Sequence, residues 1–165
     1  MKKILKSVFA ALLASVALSS CTEDGPETVS YLPVTANNIS GTWQLSEWLG
    51  KPVPAGSYVY MDIVRRDTEF TLYYNLEAFS PYVRTGIYSV DEETGVISGR
   101  YDHYAGDWTH SYTVSELTRD RMVWTAVDDP QDVSVYVRVD SVPEDIKGTD
   151  TPDEGGDAGA GDTAE

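Results

Sequence analysis

Between Gly41 and Asp140 the chain is a succession of short runs rich in Val, Ile, Thr, Tyr and Trp, separated at regular intervals by turn residues. That rhythm predicts strands. Eight are expected, roughly Gly41 to Leu49, Tyr58 to Arg65, Glu69 to Leu76, Tyr82 to Val90, Val96 to His103, Trp108 to Leu117, Arg121 to Val127 and Val133 to Val139. Separators such as Arg66-Asp67-Thr68 and Thr118-Arg119-Asp120 are too short for a parallel crossover, so consecutive strands pair antiparallel. Alternation predicts the buried faces. Phe70, Leu72, Tyr74 and Leu76 share one side of the third run, and Val133, Val135, Val137 and Val139 one side of the eighth. A long meander with one buried face closes on itself or splits into two packed sheets, and closure alone removes both edges. The expected fold is therefore all-β, an eight-stranded antiparallel up-and-down meander barrel. An immunoglobulin-like β-sandwich is the alternative, disfavoured by the short hairpins and by the lack of a Cys…Trp…Cys core.

The pattern changes at both ends. Lys2, Lys3 and Lys6 precede an apolar run from Val8 to Leu18, too short for a resident membrane helix and followed by small residues, as a secretory signal requires. Leu18-Ser19-Ser20-Cys21 resembles the lipobox of bacterial lipoproteins, which implies cleavage before Cys21 and lipidation of its thiol. Residues 21–38 then carry the lipidated cysteine and a flexible polar linker, 39–140 the barrel, and 141–165 an acidic, Gly- and Pro-rich tail expected to be disordered. Cys21 is the single cysteine, so no internal disulfide is possible.

Charge excludes one class of partner. Of 12 basic residues, the three leader lysines are lost on cleavage, leaving 9 against 27 acidic ones. Such a chain lacks the basic face that binding nucleic acid demands.

Asn38-Ile39-Ser40-Gly41-Thr42-Trp43 resembles the Gly-x-Trp signature of lipocalins, and the stretch from Ile39 to Val139 resembles the compact lipocalin-like lipoproteins of the Bacteroides group. The resemblance implies that Gly41 and Trp43 build the closed base of the barrel and that Arg138, late in the last strand, packs over the Trp. Alternation puts Arg138 on the face opposite Val137 and Val139, so this packing needs a route around the rim or past an irregularity. The same resemblance implies a Gram-negative outer-membrane lipoprotein, facing the periplasm or the cell surface.

An even number of strands sorts the loops into two ends, and those after odd strands fall away from Trp43, at the mouth. Both histidines lie in one hairpin, Tyr101 to His110. With Ala105-Gly106 at the centre of its turn, Tyr101 faces His110 and His103 faces Trp108, all four on the interior side. The two histidines are then diagonal neighbours about 7 Å apart. Hydrogen-bonded rim residues, ligand contacts and metal ligands are the three readings of the pair; the last lacks a third ligand, because Asp102 and Asp107 point the other way in this register.

No Ser-His-Asp ordering, phosphate-binding Gly loop or HExxH motif is found, and the expectation is a non-enzyme without metal or cofactor. Tyr and Trp greatly outnumber Phe and offer apolar area with a polar handle. The expected role is a membrane-anchored binding module for a small apolar or amphipathic ligand, contacted by Tyr74, Tyr101, His103, Trp108, His110 and Trp124. The alternative is an accessory surface lipoprotein whose barrel is filled by its own side chains. The discriminator is a cavity of about 300 Å³ or more at the end away from Trp43.

Overall fold

The computed structural model describes residues 29–76, 80–103 and 105–148. Expectations for the leader, for Cys21, for most of the linker and for the tail from residue 149 lie outside the described residues. A short helix α1 (Ala36–Ile39) leads into β1 (Gly41–Trp48), β2 (Lys51–Pro52), β3 (Val59–Val64), β4 (Glu69–Tyr74), β5 (Tyr82–Asp91), β6 (Val96–Tyr101), β7 (Tyr112–Ser115), β8 (Arg121–Ala126) and β9 (Val133–Val139), before helix α2 (Glu144–Lys147). Apart from β2, each strand pairs antiparallel with the next, and β9 returns to β1, so β1 and β3 to β9 close an eight-stranded barrel. The two-residue β2 is the addition to the expected eight. It folds back on Glu47 and Trp48, beyond the point where β3 leaves β1.

The last strand is inverted relative to the expectation from its valine stripe. Trp43 pairs with Arg138 and Leu45 with Tyr136 across the β1–β9 ladder, and Trp43 is fully buried. Residues directly opposite share a face. Ser134, Tyr136 and Arg138 therefore point inward, and Val133, Val135, Val137 and Val139 form the half-buried outer wall. β-Branched residues suit either side of a barrel wall, so the stripe marks a strand without telling its inner face. This removes the obstacle to Arg138 meeting Trp43.

The base of the barrel is built on that pair. The Arg138 guanidinium carbon lies 4.0 Å from the Trp43 ring centre. Its nitrogens donate to the carbonyls of Arg119 at 2.6 Å, Ser40 at 2.6 Å and Asn38 at 3.0 Å. The Trp43 indole donates to the Ile39 carbonyl at 2.8 Å. Gly41 sits at φ +125° against the guanidinium, where a side chain has neither the backbone conformation nor the space. Helix α1, capped by the Thr35 hydroxyl on the Asn38 amide, thus plugs one end.

The described structure continues past the expected boundary at Asp140. Val142 is 1% exposed and α2 follows it, so the first eight residues of the expected tail, Ser141 to Gly148, belong to the folded unit. Among the described residues no helix is long and apolar enough to cross a membrane.

Candidate functional site

At the end away from Trp43 the barrel is open inside. A cavity of about 380 Å³ has Leu45, Met61 and Phe70 toward the core and Val59, Leu72, Tyr74 and Leu76 along β3, β4 and the residues after β4. Tyr101, Trp108, Thr109, His110, Tyr112 and Trp124 supply the side from β6 to β8, and Trp48, Asp132, Ser134 and Tyr136 the side where β9 meets β1.

Two breaks in the regular ladder aim side chains at this space. The first is a bulge in β1 between Leu45 and Glu47, after which Trp48, instead of Glu47, pairs with the inward-facing Ser134. One extra residue in a strand reverses the facing of all that follow. Trp48 thereby enters the cavity wall, where its indole donates to Asp132 Oδ1 at 2.9 Å.

The second break lies between β6 and β7. Ile97 pairs with Tyr112 and Arg100 with Asp107, so three steps on one strand are matched by five on the other. The surplus collects in Trp108-Thr109-His110-Ser111. Trp108, Thr109 and His110 all reach the cavity as consecutive residues, which an alternating strand forbids, and they also line a groove on the outer surface. Trp108 packs its ring on Gly99, and its amide donates to the Gly99 carbonyl at 2.8 Å.

This register corrects the hairpin expected from the sequence. Tyr101 does not face His110, and His103 does not face Trp108. The chain reverses earlier than Ala105-Gly106, with His103 itself at φ +55°. Histidine is one of the residues enriched among the uncommon non-glycine occupants of this left-handed region. His103 is exposed and lines a separate groove with Arg84, Tyr101 and Asp102, so of the six expected contacts it alone is not in the cavity wall. Tyr74, Tyr101, Trp108, His110 and Trp124 are. The expected proximity of the two histidines on an inner face is overturned with the register. Among the described residues no group of three or more His, Cys, Asp or Glu side chains gathers as metal ligands.

The rings form a continuous band. Phe70 meets Tyr101 at 5.7 Å and Trp108 at 5.0 Å, Trp108 meets Trp124 at 5.8 Å, and Trp124 meets Tyr112 at 5.4 Å and Tyr136 at 5.2 Å, centre to centre. These tilted and edge-on arrangements are the ones that aromatic pairs favour. At the rim His110 Nδ1 lies 2.7 Å from Asp128 Oδ1, and this hydrogen bond holds the Asp128 carboxyl below the usual carboxylate range. Burial first, and the charge of Asp132 second, push the Tyr112 hydroxyl up to about 12. Burial also raises Tyr136, helped by Tyr112 and Asp132, and raises Tyr101, where Arg84 opposes it. All three phenols are therefore neutral hydrogen-bonding groups at physiological pH.

Sequence reasoning missed Trp48, Thr109, Asp132, Ser134 and Tyr136 as cavity residues. A signal existed for Tyr136: it is the one aromatic residue in a strand of valines, two positions before the arginine expected over Trp43. Nothing local marks the two irregularities that place Trp48 and Thr109.

A family profile described as a lipocalin-like domain matches residues 39–124, just over half of the chain. No curated protein matches. A solved structure, a lipocalin-like protein from Bacteroides uniformis, aligns over 62% of this chain and 99% of its own, with 17% sequence identity and a TM-score of 0.46.

Proposed function

The chain belongs to the lipocalin-like domain family, whose barrel is of the binding-module type, and from that premise we propose that it is a non-catalytic, membrane-anchored binder of a small apolar or amphipathic ligand. One observation carries the reading. The barrel holds about 380 Å³ of open space at its mouth, within the range of small-molecule sites, lined mostly by apolar and aromatic groups with a few phenols, one carboxylate and one imidazole. A barrel filled by its own side chains, acting only through protein contacts, would lack this space. The lipobox resemblance at Cys21 supports a lipid anchor in the outer membrane, and the acidic balance argues against nucleic acid as a partner.

Native mass spectrometry of the full chain purified from its own cells tests both halves. The expected result is an acylated chain beginning at Cys21 with an additional small organic molecule bound. A chain that keeps its initiator methionine and carries nothing overturns the proposal.

A further inference from the structure

The aromatic wall and its charges select among amphipathic ligands. Among the described residues that line the cavity there is no Lys or Arg; Asp132 is the one carboxylate and His110 the one imidazole. Asp132 accepts the Trp48 indole through Oδ1, and no hydrogen bond from the described residues reaches its Oδ2. The rings of Trp48, Tyr112 and Tyr136 line the same cavity. Aromatic faces carry the negative lobes of their quadrupoles, so rings around a carboxylate form a setting for a positive group and a poor one for a negative group.

Two further observations point the same way. The charge of Asp132, added to burial, discourages ionisation of Tyr112 and Tyr136, and an anionic headgroup entering beside those phenols meets the same opposition. The loop before Asp132 also carries Asp128, hydrogen-bonded to His110, and the exposed Asp129. The nearby cation, Arg84, is exposed on the same face as Leu72, its partner across the β4–β5 ladder, but its guanidinium is taken up by the Tyr82 and Tyr101 rings at 5.4 and 5.0 Å and it is not among the residues lining the cavity.

Resting on the binding reading above, we infer that the preferred ligand is an amphipathic cation: an amine or quaternary ammonium whose apolar body lies against the Phe70–Trp108–Trp124 band and whose charge sits beside Asp132. A fatty acid or other anion of the same size is disfavoured by the carboxylate and meets no Lys or Arg among the described residues of the cavity lining.

The test is a matched probe set, phenylbutylamine, phenylbutanol and phenylbutyrate, titrated into the full chain by calorimetry and tryptophan fluorescence. The amine is expected to bind about tenfold more tightly than the alcohol, with the carboxylate weakest. Asp132→Asn keeps an oxygen for the Trp48 indole while removing the charge. It is expected to lower the affinity of the amine by about tenfold relative to that of the alcohol, erasing the advantage of the amine. Binding of the carboxylate as tight as that of the amine, or an amine-to-alcohol ratio unchanged by Asp132→Asn, overturns the cation preference and leaves the binding reading standing. Failure of all three probes to bind overturns both.

Discussion

Arg138 stands over Trp43 with its guanidinium carbon 4.0 Å from the ring centre, and the two are direct partners across the β1–β9 ladder. The contact closes the barrel at the point where the first strand meets the last. It also joins three segments through the carbonyls of Asn38, Ser40 and Arg119. Arg138→Ala is expected to cost about 2–4 kcal/mol, because hydrogen bonds from a charged donor are lost along with the cation–π contact. Arg138→Lys loses less but not nothing, since one ammonium cannot replace a planar fork. Urea unfolding checks both, through a lower midpoint at unchanged slope.

Gly99 marks the site wall in a different way. A β-carbon added there falls against the indole of Trp108, 2.7 Å from one ring carbon and closer to others. Gly99→Ala is expected to displace Trp108 and cost about 1–3 kcal/mol, as overpacking does. Changed tryptophan emission together with a lower unfolding midpoint is the expected signature, and an unchanged emission spectrum would contradict the packing described.

Tyr112 sets an alkaline limit. Its folded-state value near 12 lies above the ordinary 10, so below pH 10 the hydroxyl is protonated in both folded and unfolded chains and stability is insensitive to it. As pH rises from 10 toward 12 the unfolded chain loses its proton first, and the stabilisation is lost across that window. Tyr112→Phe is expected to flatten this part of the stability–pH curve, and absorbance of the phenolate band should show one fewer late-titrating tyrosine.

Filling the cavity separates binding from folding. Leu72 is half-buried on the cavity wall. Leu72→Trp adds ring volume into open space, so the barrel should keep its unfolding midpoint within about 1 kcal/mol while affinity for any cavity ligand falls at least about tenfold. Equal affinity in the two forms, measured by calorimetry, would place the ligand elsewhere.

The barrel was legible because strand rhythm and loop length depend on short stretches of chain. Seven of the eight expected runs match the observed strands closely, and the sixth begins at Tyr112 instead of Trp108. Faces were less legible. The valines of β9 suit an outer wall as well as a core, and only their pairing with the buried Trp43 and Leu45 reveals the inner side. The site was read in part because Tyr101, Trp108 and Trp124 are large rings in strands or beside one, whereas Trp48 and Thr109 arrive through irregularities. His103 was misplaced because a glycine was given the turn centre that the histidine's own left-handed backbone displaces. A one-residue choice in a turn decides which side of a wall a side chain occupies.

The four tryptophans provide the most direct test of the central claim, that the mouth-end cavity is the binding site. Trp48, Trp108 and Trp124 line the cavity, while Trp43 sits at the closed base with its indole bonded to Ile39. Indole N–H resonances of the full chain should be followed by NMR as an organic extract of the cells that make it is added. The account predicts shifts at Trp48, Trp108 and Trp124 with Trp43 unmoved. Shifts confined to Trp43, or none at any of the four, would contradict it.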